Sequence, residues 1–208
     1  MPDGKIETWF VDELEYNLAM LKPLGIENPR VLPRIFLASE EEKEASTFLS
    51  KMGVNEDNIL ILIHPGSGGN CLSWSAEKYG ELAERLMESF PVKVLVTGQV
   101  NEKDLADKIQ SKVKHGFINL VGKTDLRLLS AIIGRCDLVI SNSTGPMHVA
   151  AALGVPTVAI FCPIFTASPK RWGPYGEGHA VIVPPVPTCK KCSPTKCERG
   201  NCMELITV

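Results

Sequence analysis

From Ile59 onward the chain alternates between two hydrophobic periods. Residues 59–64, ILILIH, form an unbroken apolar run, the pattern of a strand buried on both faces. Tyr79, Leu82, Ala83, Leu86 and Met87 then recur at helical spacing and mark one buried stripe. The alternation continues. Strands are predicted at 92–98, 117–122, 136–141 and 156–162, and HAVIV (179–183) is a candidate sixth. The helices between them carry stripes at Leu105, Ala106, Ile109 and Val113, then at Leu126, Leu129, Ile132 and Ile133, and finally in PMHVAAAL. Asn101 and Thr124 are candidate caps, and Pro146 suits a first helical position. Gly154 and Pro156 end the last of these helices.

Repeated strand–helix units with short turns imply an α/β fold: a doubly wound parallel sheet with helices on both faces. Right-handed crossovers leave few topologies, of which strand order 3-2-1-4-5 is the default. Residues 1–58 read differently. Phe10, Leu14, Leu18 and Leu21 make one helical stripe ended by Pro23 and Gly25, and a linker with prolines follows. Ser39 with Glu42 suggests a capping box for a second helix, striped by Ala45, Phe48, Leu49 and Met52. Two helices close no core of their own, so they must dock on the α/β unit or on something outside this chain. The division expected is a junction segment over 1–58 and a Rossmann-like domain over 59–208.

Composition narrows the function. The chain has 208 residues, 44% hydrophobic and 22% charged, with a formal net charge of -2. No basic footprint points to nucleic acid. No apolar stretch approaches a membrane span, and the N-terminus lacks a signal pattern. A soluble cytoplasmic protein is expected, with its seven cysteines reduced.

In this strand order the first and fourth strands are neighbours, roughly 4.8 Å apart. Their helices leave to opposite faces, and a crevice opens between the two following loops. Those loops are HPGSGGNCLSW (64–74) and SNSTGP (141–146). The start of the fourth helix offers unpaired N–H groups and a positive dipole end. Ser143 and Thr144 add hydroxyls, Gly145 removes a side-chain barrier, and His148 lies on the first turn. That is an anion site, most naturally for phosphate. The alternatives are an ordinary helix start and a plain turn. No G-x-G-x-x-G follows any strand, and no acidic residue tips the second strand, which weighs against NAD. No P-loop pattern is present. No Asp/Glu/His cluster offers a metal site in the crevice. A metal-free diphosphate, as in a nucleotide-sugar, suits these loops.

STGPMHVAAALG with PTVAIFCP behind it, the HPGSG…W loop, NLVGKTDL and the tail WGPYG…CKKCSPTKC….CM together resemble glycosyltransferase family nine, the ADP-heptose:lipopolysaccharide heptosyltransferases and their relatives. The similarity runs from about Val11 to the end. It implies the C-terminal, donor-binding half of a GT-B glycosyltransferase. It also implies an ADP-sugar donor substrate and no further cofactor. The reaction implied is inverting, metal-independent transfer to a lipopolysaccharide-core or similar glycan acceptor. The general base is expected in a separate N-terminal half, so no catalytic residue is named in this chain. Membrane contact is expected to be peripheral at most, at the inner face of a bacterial inner membrane. Carried over by position, the donor site comprises Ser67 and Gly68, then Glu102 at the ribose, then Gly122, Lys123 and Thr124 at the base. Ser143, Thr144, Gly145, Pro146 and His148 complete it at the phosphates. Glu102 as a solvated first-turn residue and Thr124 as a mere cap are the alternatives.

Two positions depart from the family pattern. Ser143 stands where relatives commonly have Asp, and Leu72 where many have Lys. Lys123, Lys170 or Arg171 are candidates to supply the missing cation; a different donor or an inactive nucleotide-sugar binding module are the alternatives. Cys189, Cys192, Cys197 and Cys202 follow C-x2-C-x4-C-x4-C, which allows a structural zinc or, alternatively, reduced loop thiols.

Overall fold

The computed structural model describes residues 12–27, 31–69, 72–190 and 200–208. Six strands, β1 (Ile59–His64), β2 (Val92–Val96), β3 (Ile118–Asn119), β4 (Leu138–Asn142), β5 (Thr157–Ile160) and β6 (His179–Ile182), form one sheet. Their order is β3-β2-β1-β4-β5-β6, and every pair is parallel. The expected doubly wound order is therefore present, and the candidate sixth strand extends it by one at the β5 edge.

Helices cover both faces. On one side α3 (Ala76–Ser89) and α4 (Lys103–Gln110) bury Tyr79, Ala83, Ala106 and Ile109 against Ile61, Ile63, Val94 and Val96. On the other, α5 (Leu126–Gly134) and α6 (Gly145–Ala152) bury Ile132, Ile133 and Ala150 against Leu60, Leu62, Leu95 and Val139. Successive residues of β1 thus serve opposite cores, as period-two geometry requires. Helix α2 (Ser39–Ser50) packs on α5 through Ala45 and Leu49, which join the second core. Helix α1 (Glu13–Ala19) has no buried residue. It is tied to the short α7 (Pro169–Trp172) by a 2.7 Å ion pair from Glu13 to Arg171. Phe10 of the predicted first stripe lies outside the described residues.

Several local expectations shift. Asp125, not Thr124, caps α5, because its carboxylate accepts from Leu128 N–H at 2.9 Å. Asn101 lies inside a 3-10 turn, Val100–Glu102, rather than at a cap. The capping-box bond near α2 forms one residue early: Glu41 accepts from Ala38 N–H at 2.8 Å, and Ser39 is the first helical residue. Pro146 takes the second helical position, after Gly145. The third strand is two residues long; Asn119 Oδ1 accepts from Val121 N–H at 2.9 Å just after it, although Leu120 and Gly122 N–H still bond Val96 O and Gly98 O. The fourth begins two residues late because Cys136 N–H still bonds Ile133 O of the preceding helix.

The end of the chain folds back on the first loop. Trp74 Nε1 donates to Ile206 O at 3.0 Å, and its ring meets Tyr79 edge-on at 4.8 Å. Met203 and Ile206 enter the same core. Both ends of the 64–74 loop are therefore fixed, one by β1 and one by buried Trp74.

Glu84 of α3 is a buried carboxylate. Burial opposes its charge, but N–H bonds from Lys114 (2.9 Å) and His115, with the His115 imidazole at 3.2 Å, outweigh that. Its carboxyl is held below the ordinary value of 4.5. A depressed pKa contributes stability that is present above 4.5 and lost as pH falls through the folded value. Urea unfolding of Glu84→Gln as a function of pH is expected to show lower stability than the wild type at neutral pH and a shallower decline on the acid side.

Candidate functional site

The ends of β1 and β4 lie side by side, with His64 in register with Ser141. Beyond them the two glycine loops are stitched together by one buried side chain. Asn142 Nδ2 donates to Pro65 O at 2.7 Å and approaches Gly66 O at 3.4 Å. Pro65 and Gly66 are buried, so the loop begins as a fixed element.

A cavity of about 1010 Å³ opens between these loops, the β2 and β3 loops, and the starts of α5 and α6. Ser67 and Gly68 line it from the first loop. Ser143, Thr144, Gly145 and Pro146 line it from the fourth, and Glu102, Gly122 and Thr124 from the β2 and β3 sides. Leu126, Leu129 and Val149 give it an apolar wall. The topology thus gathers nine of the eleven anticipated positions around one space.

The other two face elsewhere. Lys123 Nζ donates to Asn119 O at 2.8 Å and does not line the cavity. His148 sits on the exposed side of α6, outside the lining. Desolvation lowers its pKa below the ordinary value, with Asp12 at the start of α1 pulling the other way. On α6 it lies between Met147, packed in the core with Ala159 and Phe161, and Val149, which lines the cavity, so its own direction differs from both.

The start of α6 is built to face a partner. Thr144 is the N-cap, yet its side chain makes no capping bond. Its hydroxyl is engaged sideways, 3.0 Å from Ser141 Oγ and 3.2 Å from Asn142 O. A Cβ at Gly145 would meet nothing within 4 Å, so the backbone there borders open space. Pro146 has no N–H and Met147 N–H bonds Thr144 O at 3.2 Å, so the Gly145 N–H, the positive helix end and the Ser143 hydroxyl on one cavity wall are the components of an anion site.

Opposite it stands Glu102. Its carboxylate accepts from Gln99 N–H at 2.7 Å and lies against Gly66 and Gly98. A Cβ on Gly66 would collide with both carboxylate oxygens, and one on Gly98 would come within 3.1 Å of Oε2. A side chain at Gly66 would displace the Glu102 carboxylate, and one at Gly98 would press on it. Gly122 is required twice, by its positive φ and by the Val100 backbone 3.2 Å from a would-be Cβ.

Among the described lining residues there are two carboxylates, Glu102 and Asp125, and no Lys or Arg. Leu72 packs against the first core. Of the candidate substitutes, Arg171 pairs with Glu13 and lies over the Trp172 ring, and Lys170 is not in the lining. Among the described residues no group of His, Cys, Asp and Glu could hold a metal ion; Cys192 and Cys197 lie outside them. No described helix is long and apolar enough to cross a membrane.

Sequence reasoning passed over three residues. His64 closes the cavity floor, Asn142 ties the loops, and Gly66 seats Glu102. The signal for His64 was its place at the end of an otherwise wholly apolar strand.

The family profile described as glycosyltransferase family 9 (heptosyltransferase) matches residues 11–202. The chain belongs to that family. A lipooligosaccharide heptosyltransferase 2 of Campylobacter jejuni is 31% identical over 156 residues, covering 72% of this chain and 47% of the relative. The lipopolysaccharide heptosyltransferase 2 of Salmonella typhimurium is 31% identical over 146 residues, covering 68% and 41%. Among solved structures, the family 9 glycosyl transferase of Veillonella parvula superposes with a TM-score of 0.76 at 27% identity, over 87% of this chain and 50% of that one. The Escherichia coli ADP-heptose lps heptosyltransferase II gives 0.66 at 25%, over 76% and 47%. The chain thus spans about half the length of the curated relatives it matches.

If Gly66 exists to seat Glu102, Gly66→Ala should push that carboxylate out of the cavity. If the cavity takes a nucleotide, affinity measured by calorimetry should fall at least about tenfold, roughly 1.4 kcal/mol, with the unfolding temperature nearly unchanged.

Proposed function

We propose that the cavity binds the nucleotide diphosphate of an ADP-sugar, and that the chain is the donor-binding part of a heptosyltransferase-like enzyme. The observation that carries this is the uncapped start of α6, with its hydroxyls and open Gly145 backbone, set across the cavity from the Glu102 carboxylate. One end suits a diphosphate and the other a hydroxylated, uncharged group, since a carboxylate repels phosphate and accepts from hydroxyls.

In transfer, negative charge builds on the departing diphosphate as the anomeric C–O bond breaks. The Gly145 N–H, the positive end of α6 and the Ser67 and Ser143 hydroxyls would stabilise that charge without metal. Fixed dipoles of this kind often supply a large share of catalysis. The proton of the acceptor hydroxyl goes to a base that we assign to the part of the relatives' length this chain does not span. The acceptor is proposed to be a lipopolysaccharide-core or similar glycan, reached in the cytoplasm, with at most peripheral contact at the inner membrane. Its binding is assigned to a separate N-terminal half. The lining without Lys or Arg favours a second reading, a nucleotide-sugar binding module that does not itself turn over.

Thermal unfolding with ADP, UDP, GDP and NAD tests the donor. ADP at a hundred times its dissociation constant should add about 2.7 kcal/mol of stability, with the others adding less. A selective shift with NAD, or none with any nucleotide by a folded chain, would contradict the proposal. Restoring the cation should also help. In Leu72→Lys the aliphatic stem can keep the core contact, and the ammonium is proposed to extend towards the cavity, which Leu72 itself does not line. ADP affinity, measured by calorimetry, should then rise about tenfold, roughly 1.4 kcal/mol.

A further inference from the structure

The floor of the cavity holds a histidine that the phosphate chemistry above does not use. His64 ends β1, and period-two geometry puts its ring on the face of Leu60 and Leu62, towards α5 and α6. It lines the cavity with Leu129 and Val149 and is only 8% exposed. Its Nδ1 has no hydrogen-bond partner among the described residues. The Thr97 backbone lies near enough to favour a proton on the ring but does not complete a bond to that atom. A buried polar atom left unpaired destabilises the fold, and an exception of this kind calls for a reason. Every other inward position at the centre of β1 is Leu or Ile. An apolar residue at 64 would continue the core without that cost.

We infer that His64 Nδ1 is a specificity-determining contact for an uncharged hydrogen-bonding group on the nucleoside of the bound nucleotide. The inference rests on the nucleotide reading of the cavity. The chemistry of the surroundings selects the nucleoside over the phosphates. Burial keeps the ring neutral by lowering its pKa, against the pull of Glu102. A neutral imidazole offers one donor and one acceptor, which suits a hydroxyl or a ring nitrogen. The Glu102 carboxylate near it disfavours a phosphate at that end. The diphosphate has the α6 start instead. Once a site is built to pair such an atom, a ligand that lacks the partner leaves it buried and unpaired. That is the strong form of discrimination.

The test compares the full chain with His64→Leu, His64→Asn and His64→Gln, titrated by calorimetry with ADP, adenosine and pyrophosphate. Asn places a polar atom where Nδ1 lies; Gln places it further out. The expected result is at least tenfold weaker ADP and adenosine binding for Leu and Gln. Asn should recover most of that affinity, and pyrophosphate should bind all four proteins within about twofold. Leu should also leave the unliganded fold as stable or more so, which a merely structural histidine would not. If the Leu variant does not fold, the Asn and Gln pair carries the same comparison. Wild-type ADP affinity in the Leu or Gln variant, or an equal loss for pyrophosphate, would overturn the assignment. A folded wild-type chain that binds neither ADP nor adenosine would overturn the nucleotide reading itself, and this inference with it.

Discussion

Asn142, at the last position of β4, donates through Nδ2 to the Pro65 carbonyl at 2.7 Å and reaches towards Gly66 O. Proline has no N–H and the Gly-rich stretch after it has few side chains, so this loop has little means of holding itself. The buried amide supplies the tie from the neighbouring strand. The rest of the site follows. Gly66, held in place, gives Glu102 its seat. The α6 start, three residues beyond Asn142, faces the same space with no side-chain cap and with Gly145 bordering the cavity. Breaking the tie would leave a buried carbonyl unpaired, at about 1–3 kcal/mol. It would also free the two walls of the cavity to drift apart.

The parallel sheet makes that tie possible by putting β1 and β4 next to each other. Their helices go to opposite faces, α3 with Tyr79 and Ala83 on one side and α6 with Ala150 on the other. Nothing then crosses above the strand ends, and the crevice stays open. Charge in it is distributed unevenly. Glu102 stands at one side, the positive helix end at the other, and no described Lys or Arg lies between. A helix end is worth about 0.3–1 kcal/mol to an exposed anion and up to about 2 when partly buried. The proposed grip on a diphosphate would therefore depend on geometry, on hydroxyls and backbone already in position, more than on net charge.

Much of this was legible in the amino-acid order, and the reasons are physical. Runs such as ILILIH read as buried strands because parallel strands are covered on both faces. The helical stripe of Tyr79 and Ala83 gave the covering layer. Strand order and switch point then placed nine of the anticipated residues around one cavity. Caps were less legible, since Ser39, Thr124 and Asn101 each had a neighbour, Ala38, Asp125 or Gln99, that the backbone placed better. Lys123 and His148 lie outside the cavity lining, since a position near a loop does not fix where a long or helical side chain points. His64 and Asn142 escaped notice because each is a polar residue whose importance comes from burial. Burial of a single strand-end residue depends on the packed helices, not on local periodicity.

The most direct measurement is a crystal structure of the chain with ADP. The account predicts the diphosphate over the first turn of α6, within hydrogen-bond reach of Gly145 N–H and the Ser143 hydroxyl, and the nucleoside towards Glu102 and the Leu126–Leu129 wall. ADP bound elsewhere, or with its phosphates towards Glu102, would contradict it.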